Sequence, residues 1–354
     1  MSEIDLKSYT TDGKTKHLSS EEDVNVKLSK IIGSKFSEYR KLWDKANEMK
    51  VVTDFPLFLH LDMNQDCNYK CPHCIIGHKN LVKEIYGEEV NLNFNDYKKI
   101  IDEASEHNCP SLSPQGYNEP FLNKDLHKWI SYAYSKGFID IMLNNNGSAI
   151  TKKRSQQLLD SGLTRLRFSL DASEPDTYSK VRVGSIHLDK VKKNIYDFLE
   201  LKEKGNYKLP IVGVSFCKMK ANEYEIDSFI KEWSDKVDIV SIQRYVPPTP
   251  NKSEYKEYYP SDQYGLEPVK EFHCVQPFQR IMIRNESITP CCVSFNKDLT
   301  LGNINNMTIH EAWHSDKMKE IRNIHLKGEF YKNKTCKDCV ESIYPEANID
   351  TIEV

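Results

Sequence analysis

The chain has 354 residues, 39% hydrophobic and 29% charged, a balance that excludes an extended disordered protein and a membrane-embedded one. Its net charge of -3 provides no electrostatic pull toward nucleic acid or an acidic lipid surface. No apolar run approaches the ~20 residues that span a bilayer, and the polar start from Met1 to Asp23 lacks the apolar core of a signal peptide, so the expected location is cytoplasmic.

Residues 1–54 read as an N-terminal helical arm. An amphipathic helix over about 23–50 carries Val26, Leu28, Ile31, Ile32, Phe36 and Leu42 at three- and four-residue spacings. Over 55–245, six strand-like runs (56–64, 109–114, 138–144, 164–171, 211–219 and 237–245) alternate with helical ones (about 94–107, 124–136, 151–161, 188–204 and 223–236). This alternation predicts an α/β fold of parallel strands covered by helices. Six strands suit a partial (β/α)6 TIM-like barrel, with its chemistry at the C-terminal ends of the strands. In the first run Leu57, Leu59, Leu61 and Met63 share one face, and Phe58, His60, Asp62 and Asn64 the other. In the fourth, Leu166, Phe168 and Leu170 oppose Arg167, Ser169 and Asp171. A polar second face predicts a hydrated or ligand-filled lumen, since strands packed on both faces read as continuous apolar runs.

Residues 246–273, with Pro247, Pro248, Pro250 and Pro260, read as a linker. Residues 274–343 are expected to form a small C-terminal α+β domain, followed by a tail over 344–354. The domain holds a hairpin over 280–284 and 288–293, a helix over about 309–325, and a final Cys336-x2-Cys339.

Ten cysteines in a long chain without an export signal point to metal ligands or catalytic groups. Cys67, Cys71 and Cys74 follow directly on the first strand, as Cys67-Asn68-Tyr69-Lys70-Cys71-Pro72-His73-Cys74. Soft thiolates suit an iron–sulfur cluster or zinc. Three of them leave one iron of a [4Fe–4S] cube open to a small chelating ligand, whereas structural zinc takes four protein ligands.

The C-x3-C-x2-C spacing resembles the radical S-adenosylmethionine (SAM) superfamily. The resemblance implies that SAM binds the open iron and is cleaved to a 5′-deoxyadenosyl radical that takes a hydrogen atom from substrate. Gly116-Tyr117-Asn118-Glu119-Pro120 resembles the family's Gly-Gly-Glu-Pro segment, which implies that Gly116 and Glu119 meet the methionine amino group. Asn144-Asn145-Asn146-Gly147 is similar to its Thr-Asn-Gly turn, and so implies a cofactor contact at Asn145. Ser169-Leu170-Asp171 is similar to its ribose-binding strand, and Arg182 stands where the family often has a carboxylate-binding arginine. Two departures are His73, where an aromatic residue is usual, and Asn118, where the second glycine would stand.

Cys274, one of Cys291 and Cys292, Cys336 and Cys339 offer four thiolates, a closed site for zinc or a fully ligated [4Fe–4S] cluster. Pro277-Phe278-Gln279-Arg280, Thr289-Pro290-Cys291-Cys292, Leu301-Gly302-Asn303-Ile304, Glu311-Ala312-Trp313 and Cys336-Lys337-Asp338-Cys339 together resemble the SPASM/twitch extension of the same superfamily. Five cysteines rather than seven imply a single auxiliary [4Fe–4S] cluster. Adjacent strand residues face opposite ways, so only one of Cys291 and Cys292 is expected to ligate, and the family's Pro-Cys order favours Cys291.

Cys217 shares the phase of Gly213 and Ser215, which places it toward the lumen as a candidate hydrogen donor; the alternative is an inert buried cysteine. The expected activity is that of a radical SAM oxidoreductase or epimerase acting on a small polar substrate such as a sugar, polyol or aminocyclitol. Its partners would be that small molecule and an electron donor such as flavodoxin or ferredoxin, with no nucleic acid and no membrane. The alternatives are a ribosomal-peptide maturase with a peptide substrate, and a non-catalytic zinc or iron–sulfur protein.

Overall fold

The computed structural model describes residues 7–10, 15–19 and 22–345, apart from 89–90, 265, 267, 294 and 296. The 344–354 tail lies mostly outside these residues. The strands are β1 (Lys7–Thr10), β2 (Thr15–Ser19), β3 (Phe58–Leu61), β4 (Ser111–Ser113), β5 (Asp140–Asn145), β6 (Arg165–Ser169), β7 (Ile211–Lys218), β8 (Ile239–Arg244), β9 (Arg280–Arg284), β10 (Ser287–Thr289) and β11 (Gly302–Asn303). They form one sheet in the order β1-β2-β8-β7-β6-β5-β4-β3-β9-β10-β11. From β3 to β8 every neighbouring pair is parallel, and helices link the strands. These are the six expected strands. The sheet does not close on itself, so the architecture is a partial barrel.

Alternation divides each strand between shell and lumen. Leu166 and Phe168 of β6 are buried in the main core, as are Ile141 and Leu143 of β5. Arg165 and Arg167 of β6, with Asp140, Met142 and Asn144 of β5, line an inner cavity of about 280 Å³. The register sets Met142 beside Arg165 and Asn144 beside Arg167, so the polar residues form a continuous inner wall.

Both edges of the six-stranded core are continued, and here the fold departs from expectation. The N-terminal segment is not only helical: β1 and β2 form a hairpin, and β2 adds antiparallel to β8. An open edge presents unpaired N–H and C=O groups that a short hairpin can satisfy. Such short strands leave no helix-like periodicity to read. At the opposite edge β9 pairs parallel with β3, Phe58 beside Arg280 and Leu61 beside Ile283. The C-terminal hairpin therefore extends the barrel sheet, with Ile281 and Ile283 in the shared core.

The expected N-terminal helix divides at Gly33 into α1 (Val24–Ile32) and α2 (Ser34–Asn47). Phe36 and Tyr39 of α2 pack with Leu57, Ile211 and Phe278, and so close the N-terminal end of the barrel. Burying a ring such as Phe36 contributes roughly 1.5–3 kcal/mol. The tyrosine hydroxyl of Tyr39 donates to Ser111 Oγ at 3.3 Å, which ties this floor to β4.

The helix expected over 309–325 divides at Ser315. Thr308 and Glu311 form a reciprocal capping box on Ile309–His314, and Ser315 then caps Asp316–Leu326. Trp313 anchors the C-terminal segment to the barrel: it is fully buried, its indole N–H donates to the Thr53 carbonyl at 2.7 Å, and the Arg322 guanidinium lies 4.1 Å from its ring centre. Among the described residues no helix is long and apolar enough to cross a membrane.

Candidate active site

The cysteine triplet sits on the loop after β3, where the chain leaves the barrel's C-terminal end. Cys67, Cys71 and Cys74 line a small pocket with Gln115, Glu119, Asn144, Asn145, Asn146, Ser169 and Arg182. The loops after β3, β4, β5 and β6 thus meet at one place, as parallel strands require of residues at their C-terminal ends.

Each loop is fixed by specific bonds. The Glu119 carboxylate accepts the backbone N–H of Phe121 at 3.0 Å and of Asn146 at 2.8 Å, joining the loop after β4 to that after β5. Burial outweighs these two donors and raises Glu119 to about 7. Asn146 Nδ2 lies 3.9 Å from Cys67 Sγ and donates to Asn68 Oδ1 at 2.9 Å. Asn145 Oδ1 accepts the Gly147 N–H at 2.8 Å, which shapes the turn. Ser169 Oγ accepts from Ser215 Oγ at 3.4 Å.

Gly116 and Gly77 are both close-approach positions. A Cβ on Gly116 would collide with the Asp62 carboxyl, which the Arg284 guanidinium holds at 3.0 Å. A Cβ on Gly77 would strike the Cys71 carbonyl oxygen, so only glycine lets the triplet loop fold back on itself.

Asp171 does not line the pocket. It is 1% exposed and forms an ion pair with Arg182 Nη2 at 2.5 Å; His73 Nε2 is 3.3 Å away, and its Oδ1 accepts the Cys217 N–H at 2.7 Å. Burial raises its carboxyl, but Arg182 and His73 outweigh this and hold it below the usual range. Arg182 then reaches Cys71 Sγ at 3.9 Å through Nη1, and its buried Nε has no hydrogen-bond partner. Cys217, on β7, borders neither this pocket nor the lumen cavity. Burial raises its thiol well above the usual value.

The second set of cysteines is 3 to 65 residues apart in sequence and converges on a separate cavity of about 410 Å³. Cys274, Cys291, Cys336 and Cys339 line it, together with apolar groups such as Val275, Leu299 and Ile321. Cys336 N–H is capped by Asn333 Oδ1 at 3.0 Å at the start of helix Lys334–Glu341. Cys292 lies instead on the wall of the barrel lumen.

Sulfur spacing tests what these sites fit. Zinc with Zn–S bonds of about 2.3 Å holds its sulfurs roughly 3.8 Å apart. Among the described residues no three cysteine sulfurs lie within 4.8 Å of one another; the one group that meets this limit is Asp54, His310 and His314. The all-sulfur donor sets, three thiolates at one site and four at the other, are those that iron–sulfur clusters take. Burial raises Cys67 to about 11, Cys74 to about 12 and Cys336 to about 12, so thiolates there need the positive charge of a bound metal core.

Four contributors were not legible as site residues: Gly77, Gln115, Tyr117 and Asn146. Gln115 accepts the Asn144 N–H at 2.8 Å, and the Tyr117 hydroxyl donates to the Cys292 carbonyl at 2.9 Å, which links the triplet's pocket to the C-terminal segment. For Gln115, Tyr117 and Asn146 the available signal was a position beside Gly116 or Asn145; for Gly77 it was a place three residues after Cys74. The His310-Glu311-Ala312-Trp313-His314 run has the spacing of a zinc-protease helix. However, its glutamate is committed to the capping box, and both histidines bond Asp54, at 3.4 Å to its carboxylate and 2.8 Å to its carbonyl.

Residues 62–214 match the model of the radical SAM superfamily, and residues 274–340 match that of SPASM, an iron–sulfur cluster-binding domain. Among curated proteins, a probable GTP 3′,8-cyclase of Methanococcus maripaludis is 29% identical over 191 residues, 54% of this chain and 59% of that protein. The GTP 3′,8-cyclase of Aliarcobacter butzleri is 26% identical over 314 residues, 78% of this chain and 91% of that protein. Among solved structures, Streptococcus suis SuiB bound to its precursor peptide SuiA aligns with a TM-score of 0.58 at 16% identity, over 87% of this chain and 80% of that one. BtrN in complex with AdoMet and 2-DOIA aligns at 0.50 and 17%, over 82% and 93%. At these identities the structural likeness is one of fold. The two matched domains imply a SAM-binding [4Fe–4S] cluster and auxiliary iron–sulfur binding. With one match spanning the strands behind the triplet and the other spanning the second set, the chain belongs to the radical S-adenosylmethionine superfamily and carries a SPASM-type domain.

Proposed function

We propose that this enzyme removes a hydrogen atom from a small, polar, sugar-like substrate in the barrel lumen, and that the net outcome is oxidation or epimerisation at a hydroxyl-bearing carbon. The supporting observation is the position of the lumen cavity. Asn144 borders both it and the triplet's pocket, while Cys292, also on its wall, is next in chain to Cys291 of the second site. When bound, the clusters and SAM supply a 5′-deoxyadenosyl radical at one end of this space and a one-electron acceptor at the other.

The chain's own residues hold and orient. Glu119 takes the ammonium group of SAM and Arg182 Nε its carboxylate, while Asn145 and Ser169 meet the nucleoside. Cys274, Cys291, Cys336 and Cys339 are the proposed auxiliary ligands. The Asn144 Oδ1 atom, buried without a hydrogen-bond partner on the lumen wall, suits a hydroxyl group of a substrate. A lumen whose floor is closed by α2 favours a small molecule over a peptide. BtrN holds 2-DOIA in its structure. The likeness to GTP 3′,8-cyclases favours a second reading, intramolecular cyclisation of a nucleotide.

The test is anaerobic turnover with a substrate panel deuterated at single carbons. Deuterium should move into 5′-deoxyadenosine with a sugar-type substrate, and Cys71→Ala should abolish it. A product two hydrogens lighter indicates oxidation. Deuterium transfer from a peptide or from GTP, and from no sugar, overturns the reading.

A further inference from the structure

Two arginines of the lumen wall have no acidic partner among the described residues. Arg40, Arg165, Arg167 and Arg280 line the lumen, and among the described residues Asp140 is the one carboxylate on its wall. That carboxylate is already taken: Arg165 grips it through Nε at 2.7 Å and Nη2 at 3.1 Å. Arg40 rises from α2 in the floor, and Arg280 comes from the start of β9. Their guanidinium carbons lie 4.9 and 5.6 Å from the centre of the Trp43 ring, and Arg280 also lies 5.1 Å from that of Phe58.

Neither Arg40 nor Arg280 has a carboxylate partner among the described residues. Arg40 Nη1 reaches the Tyr39 hydroxyl at 3.4 Å, and Arg280 Nη2 donates to Gln279 Oε1 at 3.3 Å. Arg280 Nε is buried with no hydrogen-bond partner. The positive field is felt nearby: burial, then Arg280 and Arg284, lower His60 to about 3. Aromatic faces fix the planes of both guanidinium groups and leave their N–H edges for an acceptor. Two guanidinium groups without acidic partners, one of them with a buried N–H left unbonded, favour a ligand that brings several acceptor oxygens.

We propose that Arg40 and Arg280 form a subsite for a phosphate or diphosphate group of the substrate. This rests on the reading above that substrate occupies the lumen, and narrows its class to phosphorylated sugars, including nucleotide-linked ones. A single carboxylate would leave one of the two charges uncompensated, whereas guanidinium forks match the several oxygens of phosphate.

The test uses the cluster-loaded enzyme with SAM present to fill the triplet's pocket, and inorganic pyrophosphate as probe in equilibrium dialysis. Wild type should bind pyrophosphate, and Arg40→Gln and Arg280→Gln should each weaken it about tenfold or more. Lys128→Gln, on an exposed helix, should not change it. Iron content reports whether each variant is intact, and Arg280→Lys should keep part of the affinity. Pyrophosphate binding that is unchanged in both glutamine variants, or malonate binding as tightly as pyrophosphate, overturns the subsite. Formation of 5′-deoxyadenosine from SAM alone is read in the same samples. Its absence from wild type alongside normal pyrophosphate binding would defeat the functional reading and leave the subsite standing.

Discussion

Cys291 and Cys292 are neighbours in sequence but belong to different cavities: Cys291 faces Cys274, Cys336 and Cys339, and Cys292 faces the barrel lumen. The backbone between them is therefore the wall that separates the proposed auxiliary cluster from the proposed substrate. The Tyr117 hydroxyl bonds the Cys292 carbonyl and braces this wall from the side of the triplet's pocket.

The two cysteines should differ sharply on substitution. Cys291→Ala is expected to lose about four irons per chain, the content of one cube, and Cys292→Ser to lose none. Iron analysis of anaerobically purified protein decides this. Equal iron in the two variants would remove Cys291 from the ligand set.

SAM affinity should depend on pH through Glu119. Its carboxyl, raised to about 7 by burial, is protonated below that pH and ionised above it. An ammonium group prefers the carboxylate, so affinity should climb about tenfold per pH unit toward pH 7 and then level. In the SAM-free enzyme the same shift has the opposite effect on stability. A raised carboxyl stabilises least when forced to ionise, so stability falls as pH rises from the ordinary glutamate range through 7. Calorimetric titration of SAM should show the slope in wild type and a flat, weaker profile in Glu119→Gln; a flat wild-type profile would rule Glu119 out.

Asp171→Asn should destabilise the fold by about 3–5 kcal/mol, because it leaves Arg182 buried without its carboxylate. The folded-state value of Asp171 is depressed. Its stabilisation is therefore present above the ordinary aspartate range and fades as pH falls through the lowered value. Denaturant melts of both proteins at pH 7 and in acid should show the gap narrowing on acidification. Coincident melts at pH 7 would show that the pair contributes nothing.

Gly77→Ala should impair the triplet specifically. The added methyl presses on the Cys71 carbonyl, which is backbone and cannot swing aside, at a cost of about 1–3 kcal/mol. Electron paramagnetic resonance of the reduced enzyme should show the SAM-responsive signal weakened and the other retained. Two full signals would place the strain elsewhere.

The chemistry of this chain is mostly local, and local features survive in a sequence. Cys67, Cys71 and Cys74 lie on one loop, so their spacing alone announces three thiolates with a free iron corner. The alternation of Leu166 and Phe168 with Arg167 and Ser169 already divides shell from lumen, because a strand turns its side chains with a period of two. What only the tertiary structure decided depends on partners far apart in the chain. Whether Cys291 or Cys292 meets Cys336 follows from how β10 lies against β9, and β9 against β3. That Asp171 serves Arg182 rather than the pocket follows from the packing of the loops after β6 and β7. The gathering of Arg40 and Arg280 around Trp43 joins a floor helix to an added edge strand 240 residues later. Periodicity reports which face a residue takes; only the docking of elements determines what that face meets.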